Sequence, residues 1–272
     1  MSLTDEQLFE ALSEKISSGA GLALDVYKDK CIRRRIAVRM RACGVHTYSD
    51  YMRVLEQTPA EFERLRDALT INVTRFFRNP ETWQRVQAEL AGSLWARGAP
   101  LRCWSAGCAS GEEAYTLAIL AAEVAASRGD PGALAQVHID ATDIDRQCLE
   151  RARMACYPAS ALTDAPAGVR ERYFEPEGAE FRVAAPVRRV VQVGHLDLTR
   201  GGTPVRDYHL IACRNVVIYF DRPMQDRLFT AFAHALVPGG LLVLGKVETL
   251  FGVARELFTV VDARERIFRR LA

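Results

Sequence analysis

The feature that most constrains the fold is a short apolar run that leads into a loop of small residues and then into a helix. Leu101–Ala106 has the pattern of a buried strand, the small residues of 106–111 follow it, and a helical pattern starts at Glu112. Small residues let a ligand approach the backbone, and the first turn of a helix offers N–H groups. The loop departs from the dinucleotide pattern GxGxxG because position 109 is alanine. It therefore fits either a ligand-binding loop or a plain strand-to-helix turn.

From residue 101 onward strands alternate with helices, which predicts an α/β fold with a parallel sheet and helices on both faces. The predicted strands are Leu101–Ala106, Val137–Ala141, Val190–Val193, Tyr208–Cys213 and Gly240–Gly245. The predicted helices are Glu112–Arg128, Arg146–Ala155 and Pro223–Leu236. A closing antiparallel hairpin is expected at Phe258–Asp262 and Arg266–Leu271.

The first 80 residues contain only helical patterns, over 4–17, 28–43, 49–55 and 59–69. Residues 81–100 are predicted to be a connector, whose helix is broken by Gly98-Ala99-Pro100. We therefore expect a small all-helical domain (1–80), a connector helix (81–100) and an α/β domain (101–272).

Composition excludes several classes of protein. No apolar run approaches the roughly 18–20 residues of a membrane-spanning helix, and the acidic N-terminus lacks the apolar core of a signal peptide. The seven cysteines are odd in number and form no CxxC pair, and the five histidines show no ligand spacing. These features predict a cytoplasmic protein with reduced thiols and no structural metal.

The segment 28–41 carries seven basic residues and one acidic residue, although the net charge of the whole chain is only +2. On a helix its apolar residues form one narrow stripe that faces the core. The basic residues could simply cover a solvated face. The density of arginine favours instead a docking surface for an acidic partner, because the guanidinium fork binds carboxylates well. The proposed docking residues are Arg34, Arg35, Arg39 and Arg41.

Acidic residues beside the small-residue loop indicate the charge of the ligand. Glu112 and Glu113 could be ordinary first-turn acids that complement the helix dipole. They would repel a pyrophosphate, however, and so favour a ligand with a positive group. Asp143 follows the second strand, where an acid accepts hydrogen bonds from ribose hydroxyls, whereas Asp145 better fits the N-cap of the next helix. A nucleoside with a cationic group instead of phosphates describes S-adenosylmethionine.

Several segments together resemble the CheR family of chemotaxis-receptor glutamate O-methyltransferases, in order and spacing over nearly the whole chain. They are LTINVTRFFRNP (69–80), CWSAGCASGEEAYTLAI (103–119), ATDID (141–145), ACRNVVIYFD (212–221) and LVPGGLLVLGKVE (236–248). The resemblance implies a class I methyltransferase domain with a doubly wound sheet, a helical N-terminal domain and a small β-subdomain inserted at about 172–194. It also implies S-adenosylmethionine as cofactor and S-adenosylhomocysteine as product.

The resemblance further implies roles for individual residues. Arg78 and Tyr219 are expected to be catalytic. Where this chain has Asp197, the family more usually has asparagine. The residues expected to bind the cofactor are Asn72, Thr74, Arg78, Gly107, Glu113, Asp143, Asp197, Leu198, Asn215 and Val216.

The implied reaction is direct methyl transfer to a glutamate carboxylate in the cytoplasmic helical region of a chemoreceptor. The alternatives are a nucleic-acid methyltransferase and a cofactor-binding module without catalysis. The first is disfavoured because the position after the fourth predicted strand has Arg214-Asn215-Val216 rather than an Asn/Asp-Pro-Pro-aromatic sequence. The β-subdomain has room for one short hairpin at Glu177-Gly178, which predicts an enzyme that does not depend on a receptor C-terminal pentapeptide. A monomer without membrane insertion is expected.

Overall fold

Helices form the N-terminal region of the computed structural model, which describes residues 4–20, 23–70, 72–96 and 98–272. Contacts divide the chain into a helical unit (Met1–Ile71 with Tyr219–Met224) and a larger unit (Asn72–Ile218 with Gln225–Ala272). The helices of the first region are α1 (Asp5–Ala20), α2 (Asp29–Ala42), α3 (Tyr48–Gln57) and α4 (Pro59–Leu69). The apolar stripe of α2 faces inward, because Ile32, Ile36 and Met40 are all buried.

The two units divide after residue 71, whereas the sequence placed the end of the helical domain at residue 80. The physical reason is the pair Phe76 and Phe77, which are almost fully buried in the core of the larger unit. The predicted connector is a helix, α5 (Pro80–Glu89), that continues into a wider turn at Leu90–Leu94.

The larger unit contains a seven-stranded sheet among the described residues, in the order β6-β2-β1-β7-β8-β10-β9. The first five of these strands pair in parallel, and β10 is antiparallel to both of its neighbours. The prediction of a doubly wound sheet with a closing antiparallel hairpin is thereby confirmed. The strands are β1 (Leu101–Ala106), β2 (Val137–Asp143), β3 (Cys156–Pro158), β4 (Phe174–Glu177), β5 (Glu180–Val183), β6 (Val191–His195), β7 (Tyr208–Cys213), β8 (Leu236–Leu244), β9 (Phe258–Asp262) and β10 (Ile267–Arg270).

The strand order reverses between β1 and β7: the chain adds β2 and β6 on one side of β1 and adds β7 and β8 on the other. Ligands bind at this switch point in open α/β sheets. The loops after these two strands are therefore the natural place for the cofactor. The remaining α-helices among the described residues are α6 (Glu112–Ser127), α7 (Arg146–Met154), α8 (Val169–Tyr173), α9 (Ala185–Arg188) and α10 (Arg222–Ala235).

Strands β3, β5 and β4 form a separate antiparallel sheet, which we call the small sheet. The predicted hairpin is present: Glu177 pairs with Glu180, and Gly178 has a positive φ of 61° in the turn. The predicted bounds of the insertion differ from the structure in two ways. The sheet also uses Cys156–Pro158, a strand too short to show any alternation in the sequence, and Val191–His195 belongs to the main sheet.

Strand β8 starts at Leu236, four residues before the predicted Gly240. Its pairing with β7 is irregular there, because Leu236 lies opposite Tyr208 and Leu241 lies opposite Leu210. A proline and two glycines fill the interval and hide the strand from a pattern search. Within the described residues we find no helix with the length and apolar content needed to cross a bilayer.

Candidate cofactor site

The loop after β1 is tied to the end of β2 by its own backbone. The N–H groups of Gly107 and Cys108 both donate to the carbonyl of Thr142, at 2.8 and 3.0 Å. The next N–H, that of Ala109, donates to Oδ2 of Asp143 at 2.8 Å. The first three N–H groups of the loop are therefore engaged within the protein, and the loop does not present them to a phosphate group.

Asp143 lies at the carboxyl end of β2 and is 9% exposed. Its Oδ1 accepts the N–H of Asp145 at 2.9 Å, and burial raises its pKa. Each carboxylate oxygen has two lone pairs, so the group can accept further hydrogen bonds from hydroxyls. Asp145 caps α7, as predicted, since its Oδ1 accepts the N–H groups of Gln147 and Cys148.

The loops after β1 and β7 meet at the point where the sheet reverses. Gly107 has a φ of +80°, and a Cβ there would lie 2.4 Å from Cγ2 of Val216. Asn215, just before Val216, is itself left-handed with a φ of 62°. A side chain at position 107 would displace Val216, so glycine is required for the two loops to converge.

A buried ionic cluster of Glu113, Arg214 and Glu248 lies behind these loops. Oε1 of Glu113 accepts a hydrogen bond from the Ser105 hydroxyl at 2.9 Å, and Nη1 of Arg214 is 3.6 Å from Oε2. Burial raises the pKa of Glu113 despite the nearby guanidinium. The carboxylate of Glu113 thus has few donors for a buried charge and can take a further cationic partner.

Glu248, which is 3% exposed, holds the loop after β7 in place. Its carboxylate accepts the N–H groups of Asn215 at 3.0 Å, Gly245 at 2.5 Å and Ile218 at 3.3 Å. A Cβ at position 245 would lie 2.7 Å from Oε2 of Glu248, so the bare Gly245 leaves room for this contact. The left-handed turn at Asn215 is therefore fixed by a side chain from the end of the neighbouring strand.

The segment 72–79 contacts the loops after β2 and β7. Nδ2 of Asn72 donates to Oδ2 of Asp145 at 2.5 Å, and Nη2 of Arg214 donates to the carbonyl of Arg78 at 2.9 Å. The guanidinium of Arg78 bends back on its own segment, where Nη1 donates to the carbonyl of Val73 at 3.0 Å. The structure therefore brings Asn72 and Arg78 to the loops that carry Asp143 and Asn215.

The other predicted cofactor residues have simpler surroundings. Thr74 is partly exposed, and Leu198 is 8% exposed. Asp197 caps a short helical turn, since its Oδ1 accepts from both the N–H and the hydroxyl of Thr199, at 2.9 and 2.6 Å. The adenine contact of Asp197 stays a prediction.

Tyr219 groups with the helical unit. The guanidinium carbon of Arg35 lies 4.4 Å from the centre of the Tyr219 ring. The backbone carbonyl of Tyr219 accepts the N–H of Lys28 at 2.8 Å. The ring is therefore supported by α2, a contact that the sequence did not indicate.

The docking assignment of two arginines in α2 requires correction. Arg35 is 6% exposed, and Arg39 is occupied by a bidentate pair with Glu61 of α4, with distances of 2.9 and 2.8 Å. Arg35 is therefore buried, and the guanidinium of Arg39 is already committed to a carboxylate of this chain. Arg34 and Arg41 are exposed, so the predicted docking surface is reduced to these two arginines.

Sequence reasoning missed Ser105, Arg214 and Glu248 as members of the site. A usable signal existed for the last two. Arg214 directly follows the apolar strand β7, and Glu248 follows the apolar end of β8 within four residues. A lone charge just beyond the carboxyl end of a buried strand is costly unless it is paired or functional.

The donor set fits S-adenosylmethionine better than a phosphate-bearing ligand. Glu113 and Asp143 supply carboxylates, and the N–H groups of Gly107, Cys108 and Ala109 are already bonded within the protein. The family model described as "CheR methyltransferase, SAM binding domain" matches residues 72–267, and that described as "CheR methyltransferase, all-alpha domain" matches residues 7–70.

The chain belongs to the CheR methyltransferase family. As a CheR-family protein it is a methyltransferase that uses S-adenosylmethionine as its cofactor and acts in chemotaxis.

Three curated relatives match over most of their length. "Chemotaxis protein methyltransferase 2" of Pseudomonas aeruginosa is 33% identical over 245 residues, which cover 88% of this chain and 85% of the relative. "Chemotaxis protein methyltransferase" of Klebsiella aerogenes is 32% identical over 257 residues (92% and 86%). "Chemotaxis protein methyltransferase 1" of Vibrio cholerae is 30% identical over 270 residues (98% and 97%). The relationship thus spans both units of the chain.

Proposed function

We propose that this chain transfers the methyl group of S-adenosylmethionine to glutamate side-chain carboxylates of chemoreceptors. The products are glutamate methyl esters and S-adenosylhomocysteine, and the role is sensory adaptation. The observation that carries the proposal is the match, at 30–33% identity over most of the chain, to proteins named chemotaxis protein methyltransferases.

The chemistry of the acceptor supports an enzyme without a general base. A glutamate side chain has a pKa of about 4.3 and is ionised at neutral pH. The cofactor, when bound, supplies a methyl group on a positively charged sulfur. The protein must therefore exclude water from the two opposite charges and align the carboxylate with the methyl group.

We assign the ammonium of the cofactor to Glu113 and the ribose hydroxyls to Asp143. The raised pKa of Glu113 supports its assignment, because a cation would satisfy a carboxylate that the protein leaves short of donors. Asp197 and Leu198 are assigned to the adenine. The residues assigned to the remaining wall of the pocket are Asn72, Thr74, Gly107, Asn215 and Val216.

We assign Arg78 and Tyr219 to the acceptor carboxylate. A guanidinium has five N–H donors, and the contact with the carbonyl of Val73 engages only one of the nitrogens of Arg78. Arg78 can therefore hold a carboxylate in a fork. The Tyr219 hydroxyl orients the acceptor, and Arg35 keeps the ring in position.

The exposed residues Arg34 and Arg41 of α2 form the proposed docking surface for an acidic helical region of the receptor. Since such regions lie in the cytoplasm, we place the enzyme there too. We also propose that binding does not require a receptor C-terminal pentapeptide. The hairpin strands of the small sheet are only four residues each, which leaves little edge for an added strand.

Methyl transfer to a purified receptor cytoplasmic fragment tests the proposal. With radiolabelled S-adenosylmethionine, label should appear in the fragment and leave as methanol under mild base, as an ester does. A fragment with its acceptor glutamates changed to glutamine should stay unlabelled. Base-stable label, or label in added DNA or RNA instead, would contradict the proposed substrate.

Variants at position 78 test the assignment to the acceptor. Arg78→Ala should lower turnover by about a hundredfold, the cost of losing alignment. Arg78→Lys should restore only part of the rate, because the fork is lost. Arg75→Ala is the matched control in the same segment, since Arg75 pairs with Asp164 at 2.6 Å and is half exposed. Normal turnover in Arg78→Ala would remove Arg78 from the mechanism.

A further inference from the structure

The segment 72–79 is fastened to the small sheet by aromatic contacts. Phe76 is fully buried and meets Tyr157 of β3 edge-on, with ring centres 4.9 Å apart. It meets Phe174 of β4 in the same way at 5.0 Å, and its N–H donates to the carbonyl of Ala161 at 3.0 Å. Edge-to-face pairs favour one relative orientation of the rings. Because Arg78 lies two residues further on, these contacts determine where the segment presents Arg78.

Tyr157 also reaches the loop after β1. Its hydroxyl donates to the carbonyl of Ser110 at 2.7 Å, and a Cβ at Gly111 would lie 3.0 Å from the hydroxyl oxygen. Tyr157 is 3% exposed, and burial raises its pKa well above the ordinary value, so the hydroxyl stays protonated and donates. One side chain thus contacts both the loop after β1 and the segment that carries Arg78.

The small sheet holds this side chain in place. Tyr157 lies opposite Phe181 of β5, and β5 pairs on its other side with β4, which carries Phe174. We propose that the small sheet positions the cofactor site and that Tyr157 is the positioning residue through which it acts. The small sheet then has a role in every turnover, whether or not any peptide binds its edge. The proposal concerns cofactor binding and is independent of the identity of the acceptor.

Tyr157→Phe in the full chain tests the proposal, because it keeps the ring and removes one hydrogen bond. S-adenosylhomocysteine, titrated in a calorimeter, should bind about three- to tenfold more weakly, the effect of one intramolecular hydrogen bond. The KM for S-adenosylmethionine should rise by a similar factor. The kcat should stay within about twofold, because the loop holds the cofactor equally in the ground and transition states.

Tyr115→Phe is the matched control. Tyr115 is likewise 3% exposed, and its hydroxyl donates to the carbonyl of Ala152 at 2.8 Å. The variant loses the same kind of buried hydrogen bond, but its acceptor is a carbonyl of α7 rather than a carbonyl of the loop. Both variants should lose similar thermal stability, while Tyr115→Phe should bind S-adenosylhomocysteine like the parent chain.

Phe174→Leu tests the aromatic half of the contact and leaves the Tyr157 hydroxyl intact. We expect affinity for S-adenosylhomocysteine to fall by about two- to tenfold, as for loss of an edge-to-face pair. Phe9→Leu is its control, since it removes a ring pair with Tyr48, with centres 5.5 Å apart, inside the helical unit, and affinity should not change. Equal affinity losses in Tyr157→Phe and Tyr115→Phe, unchanged affinity in Tyr157→Phe, or a fall in kcat without a change in KM would each overturn the proposal.

Discussion

Each unit contains a glutamate that faces an arginine, and the pKa values of the two carboxylates are shifted in opposite directions. Glu61 in the helical unit is 1% exposed, and burial works to raise its pKa. Two hydrogen bonds from Arg39 and one from the Tyr51 hydroxyl at 2.9 Å outweigh that effect, so the pKa of Glu61 is lowered. Glu113 in the larger unit has one hydroxyl donor and a guanidinium at 3.6 Å, and its pKa is raised.

The difference separates a structural charge from a functional one. A carboxylate with all of its donors inside the protein stabilises the fold and has little to offer a ligand. A buried carboxylate left short of donors costs stability in the free protein and gains from a cation that binds beside it. We therefore expect substitutions at the two glutamates to affect different measurements.

The largest effect is expected from Glu61→Gln, which keeps the shape of the side chain and removes its charge. Arg39 then loses its partner in a partly buried place. The free energy of opening of α2–α4 should fall by about 3 kcal/mol, the lower end for a broken buried pair, because the Arg39 side chain is 20% exposed. Hydrogen exchange of the α2 and α4 amides measures this change. Affinity for S-adenosylhomocysteine should be unaltered, and a tenfold loss there would erase the distinction between the two sites.

Glu113→Gln should change mainly the affinity for S-adenosylhomocysteine rather than the stability of the fold. Loss of a charged hydrogen bond should weaken the binding of S-adenosylhomocysteine by roughly 1.5–3 kcal/mol, which is about ten- to a hundredfold in affinity. Calorimetric titration of the purified chain measures the affinity. Stability should fall less than in Glu61→Gln, because the guanidinium of Arg214 lies 3.6 Å from Glu113 and keeps its hydrogen bonds to the carbonyl of Arg78 and to Asn79. If this variant unfolds more easily and binds normally, Glu113 is a structural residue like Glu61.

Cofactor affinity and the stability of the helical unit should respond to acid at different pH values. The raised pKa of Glu113 means that the free protein binds a proton there above the ordinary range, so cofactor affinity should fall as pH drops through that raised value. Glu113 alone should contribute at most about tenfold per pH unit to this fall. The lowered pKa of Glu61 means that its stabilisation is complete above the ordinary pKa and is lost only as pH falls below it.

As the pH is lowered, the affinity for S-adenosylhomocysteine should therefore fall first, and helices α2–α4 should lose stability only at a lower pH. Titrations with S-adenosylhomocysteine and circular dichroism, both from pH 8 down to about pH 3, measure the two transitions. Asp143 also has a raised pKa, so the contribution of Glu113 is the part of the pH dependence that disappears in Glu113→Gln. Identical profiles for the two chains would show that Glu113 does not bind the cation.

The smallest effect is expected on the outer face of α2. Arg34→Glu with Arg41→Glu should raise the apparent KM for a receptor fragment by about three- to tenfold, as exposed charges contribute little each. Cofactor affinity should not change, and added salt should weaken the parent chain's activity toward the fragment. Arg53→Glu with Arg255→Glu changes the net charge equally at other exposed positions and serves as control. Equal effects of the two double variants on the KM would show that the net charge of the protein matters, rather than a docking surface on α2.

Most of the main sheet could be predicted because its strands are apolar runs between clear breaks. Tyr208–Cys213 has the predicted bounds, and β2 extends two residues beyond the predicted Ala141. Cys156–Pro158 could not be found, because three residues carry no period and the strand exists only through its pairing with β5. Local patterns thus predict elements that are stable by their own composition.

Much of the candidate site depends on partners that are distant in sequence. The capping role of Asp145 is local and was predicted correctly. The positions of Arg35 and Arg39 were not, because a helical wheel assigns faces without knowing that α4 brings Glu61 to Arg39. The contact of Glu248 with Asn215 spans 33 residues and is set by the order of β7 and β8 in the sheet. No pattern within one segment contains that information.

The hydrogen bonds that tie the loop after β1 to β2 limit how this scaffold can be redesigned. Ala109→Gly would bring the loop closer to a dinucleotide fingerprint and relieve a left-handed alanine with a φ of 48°. It would not create a pyrophosphate cradle, because the N–H groups of the loop already serve Thr142 and Asp143. Changing the cofactor class would require rebuilding the end of β2 together with the loop, so a glycine motif cannot be transplanted here as an independent part.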